Sequence, residues 1–196
     1  MPDSKYLDVR QQFWEDTFRS ALPYEEYLNQ SDKNHAAKWR DMEGSFSLTE
    51  EQSHLIKTFK RRLNVLVYSG VWGGDCVRQG PMLQAVAALN ENIDLRFAER
   101  VDGSPLSDEL RINGALKVPV VVFLSEDFFE CGRFGDRLLT VYRRMAQRQL
   151  GASCETGLVV PPEAQLNAEL SEWVDVWERM HIILRLSPML RERYGD

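Results

Sequence analysis

The stretch Val65-Leu66-Val67-Tyr68-Ser69-Gly70-Val71-Trp72-Gly73-Gly74-Asp75-Cys76 constrains the fold of this chain more than any other. An apolar, β-branched run of this kind is a buried strand, and the glycines that follow demand a tight turn. Beyond the turn, the pattern predicts a helix from 74 to about 90, with apolar Val77, Leu83, Val86, Ala87 and Leu89. Cys76 therefore falls in the first turn of a helix. Unpaired N–H groups carry partial positive charge there, and a thiol is most easily ionised in such a place.

The pattern after this first strand and helix alternates. Ile93 to Ala98 predicts a second strand, and Ser107 to Ile112 a short helix. Val118 to Leu124 predicts a third strand, turned back through Ser125-Glu126-Asp127 into a fourth, Phe128 to Phe134. Gly135 ends that hairpin, and Asp136 is expected to cap a helix bearing Leu138, Val141, Tyr142 and Met145. The order β-α-β-α-β-β-α predicts a central sheet covered by helices on both faces.

Both flanks differ from this region. Residues 5–62 carry no strong strand signal and are expected to be helical. Phe13, Trp14 and Phe18 give a partial stripe that Ala21-Leu22-Pro23 breaks, and Pro23 opens a short helix through Tyr24, Tyr27 and Leu28. Thr49 with Gln52 has the form of a capping box, starting a helix with Leu55, Ile56, Phe59 and Leu63 on its apolar side. Residues 151–162, with Gly151, Gly157, Pro161 and Pro162, are expected to form a loop. A long helix then runs over 163–186, with Leu166, Leu170, Trp173, Val174, Trp177, His181 and Leu184 on one stripe, and Ser187-Pro188 ends it. The chain thus divides into a helical extension (1–62), an α/β domain (63–150), and a loop and C-terminal helix packed on the domain (151–196).

Further marks accompany the central turn. Pro81 lies five residues after Cys76, inside a periodic helix where a proline is costly. Val118-Pro119 opens the third strand, and Gly135 follows sixteen residues after Pro119. With the element order, Trp72, Cys76, Pro81, Pro119 and Gly135 make the chain resemble the thioredoxin superfamily, in particular proteins with a Trp-Cys-Gly-Asp-Cys active site. The resemblance covers about residues 60–150. It implies a thioredoxin-like α/β fold, a central mixed sheet flanked by helices, here with helical extensions at both ends. It also implies a cis-proline at Pro119, beside an active-site loop of Trp72, Gly73 and Gly74, and a substrate groove formed by Val118, Pro119 and Gly135.

In the family the first cysteine attacks a substrate disulfide and the second, one turn deeper, resolves the mixed disulfide. Here Gly73 stands where the first cysteine would be, so Cys76 is left as the resolving-position thiol. Val67 lies where thioredoxins keep a buried aspartate. Asp75 is the only acid of the motif; its charge opposes ionisation of Cys76, and it is a candidate proton acceptor. Three functions follow from these departures. One is a thiol–disulfide oxidoreductase with a degenerate Gly73-Gly74-Asp75-Cys76 motif, acting on protein or peptide thiols and disulfides. Another is a non-catalytic protein-binding module, with Cys76 a small core residue. The least favoured is a monothiol peroxidase, because Gly73 supplies no hydroxyl near the thiol.

The rest of the sequence narrows the classes. A net charge of -6 argues against a nucleic-acid partner. No apolar run approaches the roughly 20 residues of a membrane span, and the N-terminus lacks the basic start and apolar block of a signal peptide. Three cysteines without regular spacing make no disulfide framework, so a reduced, cytoplasmic protein is expected. Cys131 is expected to be inert, whereas Cys154 sits in the Gly-rich loop, where a pairing with Cys76 is conceivable. His35, His54 and His181 lie far apart, each expected at a helix surface or interface, and neither metal nor cofactor is expected. Arg137, Arg143, Arg144 and Arg148 are expected to form a solvated face. No oligomeric state is assigned.

Overall fold

The computed structural model describes residues 5–150 and 163–195. The N-terminal part contains α1 (Gln11–Ser20), β1 (Leu22–Pro23), α2 (Tyr24–Gln30), α3 (Lys33–Glu43) and α4 (Glu50–Lys57). The central part contains β2 (Leu63–Ser69), α5 (Gly74–Ala87), β3 (Ile93–Glu99), α6 (Pro105–Glu109), β4 (Val120–Leu124), β5 (Glu130–Gly135) and α7 (Leu139–Leu150). Two helices, α8 (Glu163–Leu186) and α9 (Pro188–Tyr194), complete the described residues.

The sheet order is β1-β3-β2-β4-β5. β2 pairs parallel with β3 and antiparallel with β4, and β4 pairs antiparallel with β5. Every residue of β2 is buried, as the apolar run Val65–Tyr68 requires for the middle strand of a sheet covered on both faces, and buried Asn64 donates to the Ser125 carbonyl at 2.9 Å. Period-two alternation then sorts its side chains. Val65 and Val67 join a core with α3, α5 and α8, which includes Trp39, Met82, Trp173 and Trp177. Leu66 and Tyr68 join a second core under α1, with Trp14 and Phe18. Trp173 and Trp177 are completely buried, so the stripe of α8 is core.

The predicted order from 63 to 150 is present as β2-α5-β3-α6-β4-β5-α7, and the Thr49–Gln52 capping box is formed. Several details differ. Leu22–Pro23 pairs antiparallel with β3 as a short edge strand, and Pro23 is the N-cap of α2. Two residues cannot show a period, and a proline without an N–H is tolerated at an edge. α6 starts at Pro105, capped by Ser104, two residues before the predicted start. β4 starts at Val120. Phe128 is in the turn, at φ +60°, and β5 begins only at Glu130.

Asp136 does not cap α7. Its side chain is buried, accepts the Tyr142 hydroxyl, and pairs with Lys117 at 3.3 Å and Arg137 at 3.5 Å. The Leu139 and Thr140 amides instead donate to the Glu172 carboxylate of α8, at 2.5 and 3.0 Å. A cap supplied by another helix leaves no local sequence signal. Ser187 ends α8 and also caps α9, accepting the Leu190 amide at 3.3 Å. His181 is no surface histidine: it is 9% exposed and stacks on Phe59, ring centroids 4.2 Å apart. Burial, with the Arg185 charge, pushes it down to about 4. The loop expected at 151–162, with Cys154, lies outside the described residues. Among the described residues, no helix is long and apolar enough to cross a membrane.

Candidate functional site

β2 delivers the chain to Gly70 at the end of the sheet. A Cβ there would sit 2.8 Å from the Trp72 ring, so the turn requires glycine at this position. The Gly73 amide donates to the Gly70 carbonyl at 2.8 Å and closes the turn. Gly73 is the N-cap of α5, with φ -77° and ψ 127°, and supplies no side-chain cap. Trp72 is 52% exposed, with the Arg100 guanidinium 5.6 Å from its ring centroid.

Cys76 lies in the first turn of α5, yet its exposure is 0%. The Gly70 N–H donates to its Sγ at 3.5 Å. Burial pushes the thiol up to about 11, and the Asp75 and Glu99 charges push the same way. The Gly70 N–H and the neighbouring Ser69 hydroxyl only partly offset this. The helix start therefore does not activate this thiol: desolvation of a thiolate outweighs the dipole. Val67 is fully buried and apolar. Cys131 is likewise raised, to about 12, by burial and by Glu130.

Asp75 faces arginines. It pairs with Arg78 at 2.8 Å and with Arg137 at 2.7 Å. Arg137 also reaches Asp136, which holds Lys117, so the chain of charges Asp75–Arg137–Asp136–Lys117 ties the start of α5 to the loop before Pro119. Arg78 pairs with Glu169 of α8 at 2.8 Å, and Arg144 meets the other carboxylate oxygen. Glu169 has no exposed side-chain surface. The solvated arginine face is thus corrected: Arg137 and Arg144 are tied into this network, while Arg143 and Arg148 are exposed. The sequence signal for Glu169 was a carboxylate placed between Leu166 and Leu170 on the apolar stripe.

Val118, Pro119 and Gly135 come together. The Val118–Pro119 peptide is cis, and Val120 pairs with Gly135. A Cβ at Gly135 would lie 2.6 Å from the Pro119 carbonyl oxygen, so the close approach of these strands needs glycine. The register Tyr68↔Val120 places Pro119 alongside the end of β2, where the Gly70–Cys76 turn begins.

The N-terminal part holds the turn from the other side. Trp39 Nε1 donates to the Val71 carbonyl at 2.9 Å. The Val71 amide donates at 3.3 Å to Glu99, which also accepts the Tyr27 hydroxyl. Both backbone groups of the residue before Trp72 are thereby engaged. Trp39 also lies against Gly80 of α5, where a Cβ would fall 1.9 Å from its ring. In the sequence Tyr27 stood out only as part of the short helix after Pro23, and Trp39 not at all. Among the described residues, no group of potential metal ligands comes together.

The family model described as Thioredoxin matches residues 21–148. The chain is similar to a crystal structure of a protein of unknown function from Pseudomonas aeruginosa, with 19% identity and a TM-score of 0.62 over 87% of this chain and 96% of that one. It is also similar to an HIV epitope-scaffold, with 18% identity and a TM-score of 0.63 over 85% and 95% of the two chains. At these identities the likeness is one of fold. No curated protein matches the chain.

Proposed function

The chain belongs to the thioredoxin family, and from that premise we propose that it is a peptide-binding member that does not run the dithiol cycle. The observation that carries this reading is the state of the motif. Gly73 occupies the first-cysteine position, and the Cys76 thiol is fully buried and raised to about 11. A thiol in that state is protonated at neutral pH and out of reach of a disulfide. Asp75 is held by Arg78 and Arg137, at 2.8 and 2.7 Å. The parts that would hold an extended chain remain: exposed Trp72, the Pro119 loop and the adjoining Gly135. In this reading the partner is a protein or peptide segment lying across those residues.

Two measurements test it on the full chain. Alkylation mapped by mass spectrometry is expected to label Cys76 only on unfolding, and the chain is expected to fail to reduce insulin. Fast labelling of native Cys76, with an apparent pKa below the free-thiol value of about 8.5, would overturn the reading. For binding, a library of extended peptides is followed by backbone amide shifts. The expected shifts are at Trp72, Val118, Val120 and Gly135, and Cys76→Ser leaves them unchanged. A binder lost on that single change would make the thiol part of recognition or chemistry.

A second reading, a thiol–disulfide oxidoreductase with a degenerate motif, is favoured by one observation. A Cβ built on Gly73 would lie 3.7 Å from Cys76 Cβ, the spacing of a disulfide pair. A monothiol peroxidase is disfavoured by the raised, buried thiol.

A further inference from the structure

At the end of the sheet away from the Gly70–Cys76 turn, α1 leaves part of its own face uncovered. The register pairs Asn64 with Asp94 and Leu66 with Arg96. These residues therefore share the face on which α1 buries Leu66 and Tyr68. α1 stops at Ser20, and a cleft of about 380 Å³ opens beside its last turn. Arg19 from α1, Arg62 from the approach to β2, and Arg96 from β3 line it, with Phe18, Phe128 and Asp94.

The guanidinium groups have donors to spare. Arg62 spends Nε on Asn64 at 3.2 Å and Nη2 on Asp94 at 2.8 Å. Arg96 spends the same two nitrogens on Asp94, at 3.1 and 3.4 Å. Arg19 spends them on Glu15 of its own helix, at 3.0 and 2.6 Å. In each case Nη1 makes no hydrogen bond among the described residues. One carboxylate, Asp94, thus serves two guanidinium groups, and the other acid of the cleft, Glu126, is paired with buried Arg61 at 3.1 Å. With Glu15 on Arg19 and Asp94 shared by Arg62 and Arg96, the cleft keeps a single uncompensated positive charge in a chain of net charge -6.

Aromatic rings back two of these cations. The Arg96 guanidinium lies 4.9 Å from the Phe18 centroid, and that of Arg19 lies 5.6 Å from the Phe128 centroid. The two rings are themselves 5.6 Å apart. Phe128 holds this position at φ +60°, an outlier for a bulky residue. Backbone strain of this kind collects at ligand-holding sites.

We propose that this cleft binds a small organic phosphate, its oxygens on the Nη1 groups of Arg19, Arg62 and Arg96 and its apolar part against half-buried Phe128. Donors from separate elements suit a tetrahedral oxyanion, whereas a carboxylate is satisfied by a single guanidinium fork. The volume is at the small end of ligand sites, which sets the size of the organic part. The net negative charge of the chain disfavours an anionic membrane surface as the source of the phosphate. The site is independent of the peptide-binding reading, since none of its residues belongs to the Trp72–Cys76 turn or the Pro119 loop.

The test is an amide-shift titration of the full chain with phenyl phosphate, inorganic phosphate and phenol. Phenyl phosphate is expected to give saturable shifts at Asn64, Arg96 and Phe128, with inorganic phosphate weaker at the same residues and phenol weakest. Arg62→Gln, at a half-exposed side chain whose loss leaves the core intact, is expected to weaken phenyl phosphate at least tenfold, and raised salt to weaken it further. Absence of saturation, equal affinity for phenol, or unchanged affinity in both Arg62→Gln and Arg96→Gln would each overturn the proposal. So would binding to phosphatidate-containing vesicles without binding to phenyl phosphate, which would make the patch a membrane contact.

Discussion

Replacing Gly73 by cysteine probes the motif most directly. Gly73 has φ -77°, so an L-residue enters without backbone strain. Its Cβ would sit 3.7 Å from Cys76 Cβ, inside the 3.5–4.5 Å that disulfides require, and 3.2 Å from Cys76 Sγ. Only the Gly70 carbonyl oxygen, also at 3.2 Å, must give by a few tenths of an ångström. Oxidation of Gly73→Cys with glutathione disulfide should therefore join the introduced thiol to Cys76 on the existing backbone. The closed loop spans four residues, for which chain entropy gives a stabilisation of about 2 kcal/mol. The checks are loss of two free thiols on oxidation and urea unfolding of oxidised against reduced protein. The new thiol, at the helix N-cap, should titrate well below Cys76. If both thiols stay free, or oxidation leaves stability unchanged, position 73 does not stand in the attacking-thiol slot. The comparison of Gly73 with a missing cysteine then fails. If the reduced variant, recycled by added dithiothreitol, also reduces insulin disulfides faster than dithiothreitol alone, the groove is competent for exchange and the second functional reading gains.

Further perturbations test the frame around the turn. Gly80→Ala drives a methyl into Trp39 and should destabilise by about 3 kcal/mol, and by less when Trp39 is already leucine, a coupling read from a double-mutant cycle of urea midpoints. Glu169→Gln leaves Arg78 and Arg144 without their shared buried carboxylate and should cost about 3 kcal/mol; an unchanged midpoint would show that the network carries no net stability. His181 has its folded pKa lowered to about 4 from 6.5, so the unfolded chain binds the extra proton between these values. Stability from this group is complete above about pH 6.5 and is lost as pH falls toward 4, by at most about 3 kcal/mol. His181→Phe, which keeps the stack on Phe59, should remove that part of the pH slope.

How much of this was legible in the sequence depended on whether the signal was local. β2, α5, β3 and α8 were readable because a buried strand or a long stripe writes its burial into its own residues. The Thr49–Gln52 box was readable for the same reason, since both partners lie on one turn. The cap of α7 was not, because Glu172 comes from α8. The edge strand Leu22–Pro23 was hidden by its length, and its partner Phe97–Arg96 is distant in sequence. At the site, Trp72, Gly73, Cys76, Pro119 and Gly135 were placed by motif, and the structure brings Val118, Pro119 and Gly135 together. The state of the thiol was beyond the motif. A helix start predicts ionisation, and burial by surrounding elements, helped by the Asp75 and Glu99 charges, reverses it.

That reversal and the N-terminal extension share a physical cause. Tyr27 and Trp39 bring aromatic surface against Phe97 and α5, and their polar atoms consume the Val71 backbone through Glu99 and directly. The same packing places Cys76 in the main core with Trp39, Val71 and Phe97. A turn whose Val71 backbone is bonded on both sides and whose thiol is sealed has little freedom to open toward an incoming disulfide. Opening it would leave the Val71 groups and the Trp39 indole without partners in a dry interior, a loss of about 1–3 kcal/mol for each group. The exposed ring of Trp72 bears no such load. The N-terminal helices therefore hold the turn fixed, which disfavours a thiol that must move to react.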